Sequence, residues 1–320
     1  MGPGCDTVRR ARKAVPGNGR APYSGPMATT VGAFAAHLAS WTDRLMPDTP
    51  RREALSNALT ECFTGRDEPL TASTCAAVEA VAQKHSRHLI LSYDPDGTGE
   101  PDDQVNGWPP DDEDAVRRRA GAVTEVRRTD DHTTVIRLDG LESLTIAQPY
   151  LEAAFALAAG AHRIVLDLRG NGGGDPATVA FVCGWLLSDD SVHLSDVCYR
   201  DRRRQWRTPP FPANRRVPDD VPVAVLTSSA TFSSGEALAY HLKARGRVQT
   251  VGERTRGGAD HVTPIQLTRT VLGLLPEAYV IDSITGGNWE QTGVVPDIAC
   301  PADQALAVAL ASDRHACTGC

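Results

Sequence analysis

The 320-residue chain predicts an α/β fold built on a largely parallel sheet covered by helices. Three observations carry that prediction. Short apolar runs at 164–168 and 223–226 each end in a turn of small residues and then feed a helical pattern. Strand-like runs at 133–138 and 248–252 extend the same alternation from Val123 onward. Residues 30–82, in contrast, carry the helical period alone, with Val31, Phe34, Leu38 and Trp41 at i, i+3, i+7 and i+10.

Taken in order, residues 1–27 form a leader rich in Gly, Pro, Arg and Lys with no hydrophobic period, which predicts disorder. Met27 is an alternative start. Residues 28–93 read as a small helical domain, with Leu55, Leu59 and Cys62 continuing the first pattern, and they close on a short strand at 88–93. Residues 94–122 read as an acidic Pro/Gly linker or solvated loop. Within it Asp94, Asp96 and Gly99 match the opening of a calcium loop, but Val105 stands where that loop needs a bidentate Glu. Residues 123–313 carry the main α/β domain, with helices at 146–159, 176–187 and 236–244. An antiparallel ribbon at 192–207 presents Arg200, Arg202, Arg203, Arg204 and Arg207 as a solvated face. Short strands follow at 263–268, 271–275 and 278–281, then a closing helix at 302–311 and a tail at 314–320.

Composition narrows the function. With 41% hydrophobic and 23% charged residues the chain reads as soluble and globular. A formal charge of −7 gives no support for nucleic-acid binding. No apolar run approaches the roughly 18 residues of a membrane span, and no apolar signal region opens the chain, so cytoplasm is the default location. Cys62, Cys75, Cys183 and Cys198 lie in apolar or helix-like surroundings and read as free thiols. Cys317 and Cys320 form a lone CxxC after His315, without the second pair a zinc site needs. Neither a metal nor a cofactor is expected.

Chemistry concentrates in two turns. The run Gly170-Asn171-Gly172-Gly173-Gly174 follows a strand and precedes a helix, yet fits neither GxGxxG nor a P-loop. Its backbone N–H groups could approach an oxyanion closely, or simply make a tight turn. The stretch 227–236 places Ser233 and Ser234 at a helix start, where unpaired N–H groups and the positive helix end favour an anion. Either serine could be a nucleophile or a cap. Its base would come from His88, His132, His241 or His261.

Three blocks, at 165–174, 226–236 and 247–259, stand in the order found in the C-terminal processing (tail-specific) family of serine peptidases. The closing Asn288-Trp289-Glu290-Gln291-Thr292-Gly293 block is similar to the branch that holds the interphotoreceptor retinoid-binding protein repeats and the tricorn protease core. The likeness spans roughly residues 70–312. It implies a crotonase-like α/β catalytic domain beside a small N-terminal helical domain, acting on a peptide or small acyl substrate. It further implies Ser233 as nucleophile, and Gly173 and Ser234 N–H groups as oxyanion donors. Tail-specific members keep a lysine base where this chain has Gly258, and nearby Lys243 does not match it. The tricorn-like branch implies His88 as base instead, with Glu290 orienting that histidine or contacting substrate. Arg87 and Ser86 depart from the branch's usual residues before the histidine, and the family's PDZ domain is not detectable before the core. A non-catalytic binder of an apolar ligand, an acyl-transfer or cyclising enzyme, and more distantly a coenzyme A enzyme are the alternatives on the same fold.

Overall fold

The computed structural model describes residues 30–312, so the leader, Met27 and the Cys317/Cys320 tail lie outside the described residues. Helices α1 (Val31–Leu45), α2 (Pro50–Phe63) and α3 (Ala72–Ala82) open it. Each begins on a threonine, Thr30, Thr49 and Thr71, whose side chain accepts the N–H three residues on. That bond satisfies one of the donors a helix start leaves free. Among the described residues no helix is long and apolar enough to cross a membrane.

The rest alternates strands and helices: β1 (Ile90–Tyr93), α4 (Glu113–Arg118), β2 (Val123–Arg128), β3 (Thr133–Leu138), α5 (Leu144–Leu157), β4 (Arg163–Asp167), α6 (Pro176–Leu186), β5 (His193–Tyr199), β6 (Arg203–Arg207), β7 (Val223–Thr227), α7 (Ser234–Ala244), β8 (Gln249–Gly252), β9 (His261–Thr268), β10 (Val271–Asp282), β11 (Ile298–Ala299) and α8 (Ala305–Ser312). They form two sheets. The first runs β11-β8-β7-β4-β3-β2, parallel throughout except for the antiparallel edge strand β2. The second is antiparallel, β1-β10-β5-β6, with β9 also paired to β10.

Burial on both faces explains why β4 and β7 read as continuous apolar runs. Val135, Val165, Ala224 and Leu226 pack with Ala305 and Ala309 of α8 on one face. Their alternates Ile136, Ile164, Leu166 and Val225 face α5, α6 and α7, in a cluster that reaches Val197 and Val280 of the second sheet. The N-terminal helices share a core with that second sheet: Phe34, Leu38, Trp41, Leu55 and Leu59 cluster with Ile265, Leu267, Val271 and Leu275.

Three features differ from the sequence reading. The strands expected at 271–275 and 278–281 are one strand, β10, because Pro276 sits at a bulge opposite β9 where its missing N–H is tolerated. The acidic stretch ends in a helix. Asp112 accepts the Ala115 N–H at 2.9 Å and starts α4. Nor is that stretch a free loop, since Asp102 accepts from Gln266 N–H and Trp108 Nε1 donates to Val262 O, pinning it along β9.

Candidate active site

Strands β4 and β7 are parallel neighbours, so their carboxyl ends bring the glycine and serine turns together, the usual place for a site in an α/β sheet. The turns are stitched directly. Thr231 Oγ1 donates to Leu168 O at 2.8 Å, Phe232 N–H to Asn171 O at 2.9 Å and Ser234 Oγ to Gly174 O at 2.8 Å. Two glycines are required by this approach. A Cβ on Gly173 would fall 2.7 Å from Ser233 Cβ, and one on Gly235 would fall 2.6 Å from Asn171 Oδ1.

Ser233 occupies the N-cap of α7 at φ 53° and ψ −123°, a backbone conformation rare outside glycine. What holds it there is Glu236, which is fully buried. Its carboxylate accepts from Ser233 N–H at 3.0 Å, Gly258 N–H at 2.8 Å, Gly257 N–H at 2.6 Å and the Thr255 hydroxyl. Burial pushes this carboxyl up to about 7, against those four hydrogen bonds, which favour the ionised form. The two serines are thereby separated in role. The Ser234 hydroxyl is committed to Gly174 O, while half-buried Ser233 lines a cavity of about 1730 Å³.

The expected oxyanion donors are in unequal states. Ser234 N–H, at the first turn of α7, has no acceptor among the described residues. Gly173 N–H donates to Asn171 Oδ1 at 2.9 Å. Asn171 is completely buried and also donates from Nδ2 to Leu138 O, so it locks the glycine turn to β3.

His88 lines the same cavity, just before β1, with its ring edge-on to Phe232 at 4.7 Å. Its Nδ1 is buried without a hydrogen-bond partner among the described residues. Burial lowers its pKa to about 4, over the opposing pull of the Asp260 carboxylate and main chain. The ring is neutral at pH 7 and has a basic nitrogen to offer. His261 also lines the cavity and is likewise held near 4, by burial first and by His88 second. His132 pairs instead with His162, ring centroids 4.9 Å apart, away from the cavity.

Gly258 shows why a lysine would not fit here. A Cβ at that position would lie 2.3 Å from the Phe232 ring, which fills the space beside it. Lys243 is drawn elsewhere, to Val295 O and Asp297.

Glu290 does not hydrogen-bond the His88 ring. Its Oε1 accepts Arg87 N–H at 2.7 Å, and its Oε2 accepts Ala259 N–H at 2.6 Å and Asp260 N–H at 3.3 Å. It therefore clamps the backbone before His88 to the backbone before His261. Burial, then the Asp260 charge, pushes its carboxyl up to about 8. Beside it, Asp260 receives a bidentate bridge from Arg51 at 2.6 and 2.8 Å and a bond from Ser86 Oγ at 2.7 Å. The sequence reading missed Asp260, Arg51 and the anchoring role of Glu236. Arg51 and Asp260 are separated by 209 positions and carry no joint local signal.

The profile of peptidase family S41 matches residues 132–300, more than half of the chain. The chain belongs to peptidase family S41. A carboxyl-terminal-processing protease of Picosynechococcus sp. (strain ATCC 27264 / PCC 7002 / PR-6) is 30% identical over 141 residues, which are 38% of this chain and 32% of that protein. The match thus spans about a third of that relative's length. Among solved structures, a lipoprotein from Streptococcus agalactiae superposes with a TM-score of 0.57 at 15% identity, over 92% of this chain and 100% of that one. A candidate peptidase from Parabacteroides merdae gives 0.59 at 14% identity, over 88% and 96%. At these identities the two structures support the mixed α/β fold alone.

Proposed function

We propose that this chain is a serine peptidase with a crotonase-like core at 123–313 and a helical cap at 28–93. It would belong to the branch that uses a histidine rather than a lysine base. The observation that carries this reading is Ser233 at a positive-φ helix start, opening on the cavity that His88 also lines. Ser233 Oγ attacks the carbonyl carbon of a peptide as His88 takes its proton. Ser234 N–H receives the developing oxyanion, joined by Gly173 N–H sharing its hydrogen with Asn171 Oδ1. His88 then gives the proton to the leaving amine, and water repeats the sequence on the acyl–Ser233 ester. Glu290 is a positioning residue, since its bonds reach the backbone on either side of the histidines.

Hydrolysis of a mixed peptide library by the purified chain tests the activity, and its pH profile tests the base. Protonated His88 cannot accept the serine proton, so kcat/KM is expected to be level near neutrality and to fall as pH drops through about 4. Library peptides left intact, or an acid limb in the alkaline range proper to lysine, would overturn the proposal.

A further inference from the structure

A third histidine, which the proposed reaction does not use, stands in the same cavity. Ser234, Ala237 and His241 all line it and share one face of α7 at spacings of three and four. His241 Nδ1 bonds Asp282 Oδ2 at 2.8 Å, and the two side chains are 4% and 0% exposed. Asp282 also accepts from Arg245 Nη1 at 3.0 Å and from the Ile284 and Thr285 N–H groups, both at 2.9 Å. Despite its burial, hydrogen bonds from His241, Thr285 and Arg245 hold this carboxyl far below the usual range. An ionised Asp282 can only accept, so the proton on the imidazole sits at Nδ1.

The consequence lies at the other nitrogen. His241 Nε2 has no hydrogen-bond partner among the described residues, yet it is not sealed off, because the residue lines the cavity. Burial lowers the imidazole's pKa and Arg245 adds to the effect, against the pull of Asp282, so Nε2 carries a lone pair at neutral pH. The Trp289 ring stands edge-on to His241 at 5.8 Å, and Leu194 and Val280 line the same cavity. Ser195, 2% exposed, adds one hydroxyl. The charge of Asp282 is balanced by Arg245.

Resting on the peptidase reading above, we infer that His241 is a specificity residue. It recognises a substrate side chain next to the scissile bond that is apolar along its length and ends in a neutral hydrogen-bond donor, a hydroxyl or a carboxamide. The spacing along α7 fits this assignment. Eight residues of helix place its Cα about 12 Å along the axis from that of Ser233. The imidazole leans back toward the helix N-terminus, leaving a gap that a long side chain fills.

Binding to the full-length Ser233→Ala chain separates this inference from turnover. Peptides that differ only in Tyr or Phe, or in Gln or Leu, at the two positions flanking a cleavable bond are compared by fluorescence anisotropy. At one of those positions Tyr and Gln are expected to bind at least about tenfold more tightly than Phe and Leu. Adding His241→Leu removes the difference, and adding His241→Gln, which can donate to Asp282 and still accept, keeps it. Equal binding of Tyr and Phe peptides by the Ser233→Ala chain overturns the subsite while leaving the peptidase reading intact, whether or not the His241 variants fold. A preference that survives His241→Leu does the same. Failure to bind any peptide contradicts the peptidase reading, and this inference with it.

Discussion

Ser233→Ala is expected to lower peptide turnover by about 10⁴-fold or more while leaving the far-UV circular dichroism and the unfolding midpoint near those of the parent chain. The loss is large because the proposed nucleophile has no substitute. Ser234, the adjacent hydroxyl, donates to Gly174 O and packs into the junction of the two turns. The fold is expected to survive because the bonds holding residue 233 in place come from its backbone N–H, through Glu236, and alanine keeps that N–H. Ser234→Ala should behave in the opposite sense. It forfeits one hydrogen bond, about 1 kcal/mol of stability, and keeps turnover, since the proposed oxyanion donor is a backbone group. Steady-state kinetics and denaturant unfolding on the two variants check both halves. A Ser233→Ala chain that still turns over would reverse the assignment.

Glu236→Ala is the second large effect, and it falls first on stability. The carboxylate is the common acceptor for Ser233 N–H, Gly257 N–H, Gly258 N–H and the Thr255 hydroxyl, and the residue is fully buried. Truncation leaves these donors without a partner in a site water does not reach. Each unsatisfied group costs about 1–3 kcal/mol, and the sum is less than additive because the turn can relax. A loss of about 3–5 kcal/mol is expected, read as a lower urea midpoint. Relaxation of the 255–258 turn also frees residue 233 from its positive φ, so any folded fraction should be nearly inactive. Glu236→Gln keeps one acceptor oxygen and should fall between the two. An unchanged midpoint in Glu236→Ala would show that the turn is held by something else.

The parts of the site legible in the sequence are those where local pattern and chemistry coincide. Strands β4 and β7 are buried on both faces and so stand out as apolar runs, and each empties into a turn whose residues have little structural alternative. The helices after them were readable to within two residues, from 176 and from 236 against observed starts at Pro176 and Ser234. The second sheet was not legible as a sheet. Its long strand β10 carries Pro276 at a bulge, which splits the pattern in two, and its partners β1 and β5 come from distant parts of the chain. Strand β11 has only two residues, too few for any period. The buried polar groups beside the histidines were hidden for a related reason. Asp260 is a surface-like residue type whose partner Arg51 lies on α2, and only the packing of α2 near the start of β9 makes the pair meaningful. Glu290 carried a motif but not its geometry: the resemblance pointed to the residue, and the structure shows that its bonds go to backbone.

The central claim, that Ser233 is activated by His88, is tested most directly by covalent labelling. The chain is treated with a fluorophosphonate at neutral pH, and the modified residue is located by peptide mass mapping. A single adduct on Ser233 is expected, formed at least about 10²-fold more slowly in His88→Phe, because the proton then has no acceptor. An adduct on another residue, or labelling of Ser233 at an unchanged rate in His88→Phe, would contradict the account.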